Sequence, residues 1–76
     1  MKAENELIKI VADVLDLEID EISPDMGPET LEEWDSVNAL RILTNIEVDL
    51  GLRLPMETFM NAKTIGQIAL AIRSNE

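Results

Sequence analysis

The chain has 76 residues, 46% of them apolar, which is enough for one small folded domain and too much for a disordered acidic tail. It contains no Cys, His or Tyr, so disulfides, the usual zinc ligands and the common general bases and nucleophiles are missing, and an autonomous enzyme is not expected. The 16 acidic residues against 6 basic ones give a net charge of −10, a field that repels nucleic acid and anionic membranes and attracts proteins with basic patches.

Trp34 and Phe59 are the aromatic residues, so the core must be built from Leu, Ile, Val, Met and Ala, which suits packed helices. The start, Met1-Lys2-Ala3-Glu4, lacks the apolar run of a signal peptide, and no stretch approaches the ~18 apolar residues of a membrane span. A soluble, cytoplasmic monomer is expected, as a single domain over 1–76.

The first predicted helix runs from about Glu4 to Asp16, where Leu7, Ile10, Val11 and Val14 mark one face and Ile8 and Leu15 widen it. From Leu17 to Trp34 the periodicity fails, with Pro24, Gly27 and Pro28 as punctuation. Leu17, Ile19, Ile22, Met26, Leu31 and Trp34 are spaced along this segment, which predicts an ordered loop packed over the core. A second helix is expected from Asp35-Ser36 to about Leu50, capped by Asp35 and stopped by Gly51. Its stripe is Val37, Leu40, Leu43, Ile46 and Leu50, with Ile42 and Val48 beside it. Leu52-Arg53-Leu54 connects to a short helix over roughly Met56 to Asn61, with Pro55 at its first position. Thr64-Ile65-Gly66-Gln67 has the form of a capping box, and Ile65, Ile68, Ala69 and Ile72 mark the buried face of a last helix. The expected fold is all-α: a four-helix bundle of three main helices and one short one, with a long ordered loop after the first.

Chemistry concentrates at Trp34-Asp35-Ser36-Val37-Asn38-Ala39-Leu40. A serine just inside a helix start is exposed, beside unpaired amides and the positive end of the helix dipole, where a phosphate is electrostatically favoured. Ser23 precedes a proline within the loop and Ser74 falls in the C-terminal tail, so neither shares that context. An Asp-Ser dipeptide at a helix start is also a common cap with no further role, and the rest of the chain has to decide between the two readings.

The order of elements, Asp35-Ser36-Val37 at the second helix, Ile22-Ser23-Pro24 in the loop and Gly51-Leu52-Arg53-Leu54-Pro55 after it resemble the acyl and peptidyl carrier protein family over nearly the whole chain. Val37 replaces the Leu of the usual Asp-Ser-Leu and is expected to face the bundle. The resemblance implies a discrete, free-standing carrier with a 4'-phosphopantetheine arm, taken from coenzyme A by a phosphopantetheinyl transferase and attached to Ser36. Asp35 is the motif residue and helix cap. Cargo would be held as a thioester on the arm and presented to loading and acyl-processing enzymes with basic docking patches. By position in the family, Asp35, Val37, Leu40, Arg41 and Glu47, with Met60 and Ala62, are the candidate partner contacts.

Arg41 stands where fatty-acid carriers show an acidic residue, Asn38 where Asp is common, and Trp34 replaces a small residue. These departures favour a specialised polyketide or nonribosomal-peptide type of pathway over primary fatty acid synthesis. Trp34 is read as a hydrophobic plug at the start of the second helix. Thr44 lies where related carriers line the acyl cavity with an apolar group; its hydroxyl either favours short or polar cargo or bonds back to the helix. Two other readings are an unmodified acidic interaction module, and a calcium site at Asp20, Glu21 and Asp25. These three acids lack the ligand spacing of a calcium loop. No metal site is expected.

Overall fold

The computed structural model describes residues 2–74, which form α1 (Lys2–Leu15), one 3-10 turn (Ile19–Glu21), α2 (Ser36–Leu50), α3 (Met56–Asn61) and α4 (Ile65–Ser74). The fold is all-α, and no strand occurs among the described residues. Each boundary has a local cause. At the end of α1, Asp16 takes the left-handed conformation (φ 59°), and Leu17 N–H donates to Ala12 O at 2.9 Å. Gly51 does the same after α2 with φ 62°, where a side chain would be strained, and Leu52 N–H reaches Glu47 O at 3.2 Å. Thr64 Oγ1 accepts the Gln67 amide at 3.1 Å and so caps α4. Gln67 Oε1 accepts from Lys63 N–H at 2.7 Å, one residue earlier than a regular capping box.

α1 packs against both α2 and α4, and α3 rests on α4. The interior is aliphatic: Leu7, Val11, Ile42, Ile46, Ile65, Ile68 and Ile72 are each less than 2% exposed. The sealed core extends to Trp34, Leu54 and Phe59, and no polar or charged residue is buried with it among the described residues. The apolar spacing of α4 holds position for position, with Ile65, Ile68, Ala69 and Ile72 all buried.

The expected stripe on α2 is corrected. The buried face is Ala39, Ile42, Leu43 and Ile46, while Val37 is 62% exposed and Leu40 44%. Two apolar stripes at helical spacing compete on this helix, and packing against α1 selects the one that includes Ala39. Val37 therefore does not face the bundle. Pro55 also shifts by one: it is the extended residue before α3 (φ −57°, ψ 134°), not its first helical position. Ser74 closes α4 rather than lying in a tail.

The segment between α1 and α2 is ordered by its own turns. Met26 N–H donates to Ser23 O, Leu31 N–H to Gly27 O and Trp34 N–H to Leu31 O. Ile22 and Trp34 are buried, and Leu17 and Leu31 pack against the core; Ile19, in the 3-10 turn, is instead 54% exposed. Two bonds lash the segment to α4, Ile65 N–H to Met26 O at 2.9 Å and Gly66 N–H to Pro24 O at 2.8 Å. Gly27 makes that approach possible: a Cβ there would lie 2.0 Å from Lys63 O. Among the described residues no helix is long and apolar enough to cross a membrane.

Candidate functional site

Ser36 is the first residue of the 15-residue α2 and is exposed. Asp35 precedes it in an extended conformation, and its Oδ1 accepts the Asn38 amide at 2.9 Å. Asn38 returns the grip, donating through Nδ2 to Glu33 O at 2.8 Å. Asp35 N–H donates to the same carbonyl at 3.0 Å. The residues on either side of Ser36 are thus tied down, and as the first two residues of α2, Ser36 and Val37 carry amides with no acceptor within the helix.

Trp34 anchors this corner from inside. It is 7% exposed, and its ring lies nearly parallel to that of Phe59 on α3, 22° between planes and 6.4 Å between centroids. Such an offset pair stabilises by about 0.5–1.5 kcal/mol beyond the area it buries. The reading of Trp34 as a hydrophobic plug agrees with this placement. Above it opens a shallow bowl of about 350 Å³, lined by Pro28, Trp34, Asp35, Ser36, Ala39 and Met60.

The other candidate residues do not form one face. Val37, Leu40 and Arg41 line an open groove of about 530 Å³ between α1 and α2, with Asp13, Val14, Thr44 and Asn45. Met60, 48% exposed, stands on the bowl beside Ser36, and Ala62 is half-buried against the core. Glu47 is also half-buried, and its Oε2 accepts the Leu54 amide at 3.2 Å, which fixes the α2–α3 connection. Thr44 is exposed and donates to Leu40 O at 2.9 Å, so its hydroxyl is engaged with the helix and does not line an interior cavity. Asp13 and Asn45 are not marked by the sequence pattern, and Pro28 is marked only as loop punctuation; the tertiary fold brings them beside Arg41 or Ser36.

Asp25 sits in the loop below. The Ser23 hydroxyl donates to it, and this bond together with a backbone N–H holds its carboxyl below the usual 3.8. Among the described residues no group of three or more carboxylates is arranged to hold a metal ion.

The chain contains no histidine or cysteine, and the Asp35 carboxylate beside Ser36 is engaged as the helix cap. The family model for the phosphopantetheine attachment site matches residues 5–72, and the chain belongs to that family. Neither a curated protein nor a solved structure matches the chain significantly.

The protein is accordingly a non-catalytic carrier whose prosthetic group is a covalently attached 4'-phosphopantetheine, and it works with a phosphopantetheinyl transferase and acyl-processing enzymes. The residues present fit that group: an exposed hydroxyl, free first-turn amides for a phosphodiester, and an open bowl beside them. When bound, the arm supplies a terminal thiol that holds cargo as a thioester.

Proposed function

We propose that Ser36 is the attachment residue of a single carrier domain and that Asp35 serves as its helix cap. The observation that carries this reading is the exposure of Ser36 at the start of α2, between backbone groups that Asp35, Asn38 and Glu33 hold rigid. In the transferase, Ser36 Oγ gives up its proton and bonds to the phosphorus on the pantetheine side of coenzyme A, while the bond to 3',5'-adenosine diphosphate breaks. This chain contributes the nucleophile and its position, and the base comes from the transferase. Ser23, whose hydroxyl is engaged with Asp25, and Ser74, at the end of α4, lack this setting.

The cargo belongs, in this proposal, to a specialised pathway of polyketide or nonribosomal-peptide type, with a cytoplasmic monomer as the working form. Support comes from α2 itself. Arg41 is exposed, Asn38 is uncharged and spends its amide on Glu33 O, and Glu47 is tied to Leu54, which leaves Asp49 as the free-facing acid towards the end of the helix. A partner that reads a continuous acidic stripe, as in primary fatty acid synthesis, finds little of it here. Val37, Leu40, Arg41 and Met60 are the proposed contacts, and Glu47 and Ala62 contribute by shaping the surface. Peptide mass spectrometry after incubation with coenzyme A and a promiscuous transferase tests the attachment: modification of the Ser36 peptide is expected, and modification elsewhere contradicts it.

A further inference from the structure

The bowl at Ser36 is bordered on its inner side by core residues: Trp34 and Ala39 in its lining are both buried. Its floor is the Trp34 indole, 7% exposed, and beneath Trp34 lies Phe59, 3% exposed, in the nearly parallel stack described above. In the same core cluster, Ile42 and Ile46 of α2 and Ile65 and Ile68 of α4 are at most 1% exposed, and no polar or charged residue is buried with them among the described residues. Packing of that kind has no room for an added alkyl chain unless side chains or helices move apart. A separate groove lined by Leu43, Glu47, Arg53, Leu54, Pro55 and Met56 shares no residue with the bowl at Ser36. Thr44, which faces solvent, takes no part in the closure.

We propose that Trp34, seated on Phe59, seals the helical interior against the arm, so that cargo stays outside the core and is a short or polar acyl or aminoacyl group. This deepens the reading of Ser36 as the attachment residue and rests on it. A long alkyl chain carried on this protein gains no protection from the bundle and stays in water, whereas a small or polar group loses nothing by remaining there. Trp34 is then a residue that sets cargo, in addition to its packing role.

The test loads the intact protein from acetyl- and decanoyl-coenzyme A with a promiscuous transferase, and intact mass first establishes that each group has been added. A failure of loading on Ser36 counts against the attachment reading; everything that follows concerns the seal. Isoleucine methyl spectra are compared between the two loaded forms, together with the rate of thioester cleavage by hydroxylamine. The expected result is no shift at the Ile42, Ile46 and Ile68 methyls and the same cleavage rate for both chains. Shifted core methyls and slowed cleavage of the decanoyl form overturn the proposal. In Trp34→Leu, shown to be folded by circular dichroism, the decanoyl chain is expected to shift those methyls and to be cleaved more slowly than acetyl; persistence of the wild-type pattern there removes the role from Trp34. Phe59→Leu, which loosens the same stack, gives the equivalent comparison where Trp34→Leu does not fold.

Discussion

The Asp35 carboxylate accepts the Asn38 amide at 2.9 Å, so the residue before Ser36 and the residue two beyond it are joined across it. A side chain that occupies one first-turn amide leaves the others for whatever is built on the serine. Replacing Asp35 by Ala is expected to cost about 1 kcal/mol, and Asp35→Asn much less, since both residues cap well. Thermal unfolding followed by circular dichroism checks this: a loss of about 1 kcal/mol lowers Tm by roughly 4–8 °C in a domain of this size.

Gly27→Ala is expected to be among the more damaging single-methyl additions, at about 1–3 kcal/mol. The new Cβ meets a backbone carbonyl, Lys63 O, at 2.0 Å, and neither strand of chain can swing aside as a flexible side chain would. Separation of the two segments also lengthens the Ile65–Met26 and Gly66–Pro24 hydrogen bonds. Urea denaturation gives the magnitude, and faster amide exchange at Ile65 and Gly66 locates it.

Glu47 separates a structural role from a docking role. Glu47→Ala leaves the half-buried Leu54 amide without its acceptor and is expected to cost about 1–2 kcal/mol, while Glu47→Gln keeps an acceptor oxygen and costs less. Hydrogen exchange at Leu54 accelerates in the alanine variant. If neither stability nor that amide responds, Glu47 acts through partners alone.

The carboxyl of Asp25 titrates below the usual 3.8, chiefly because the Ser23 hydroxyl donates to its ionised form, with a backbone N–H adding to the effect. A depressed carboxylate favours the folded state above its unfolded value, and that contribution is lost as the pH falls through the lower, folded value. Carbon-detected titration of Asp25 is expected to give a value under 3.8 that moves up in Ser23→Ala. An unchanged midpoint in that variant contradicts the hydrogen-bond cause.

Much of the fold is legible from helix ends, because caps are local. Asp35, Gly51 and the Thr64–Gln67 pair mark boundaries that hold within a residue, and the stripe of α4 is unambiguous because its isoleucines share one face. α2 is harder to read. It carries apolar residues on two faces, and periodicity alone gives no reason to prefer Ala39 over Val37 for burial. The same limit hides the bowl and the groove: Met60 and Ser36 become neighbours only because α3 docks through Phe59 on Trp34. Ser36 itself is readable from its dipeptide and its position at a helix start, whereas the grip of Asn38 on Glu33 is not, since it depends on how the loop turns before the helix.

The central claim, that Ser36 receives the arm, is tested most directly by intact mass after incubation with coenzyme A and a promiscuous phosphopantetheinyl transferase, with Ser36→Ala alongside. A gain of one phosphopantetheine by the native sequence and none by the variant is predicted. No gain by the native protein while a control carrier is modified, or the same gain in Ser36→Ala, contradicts it.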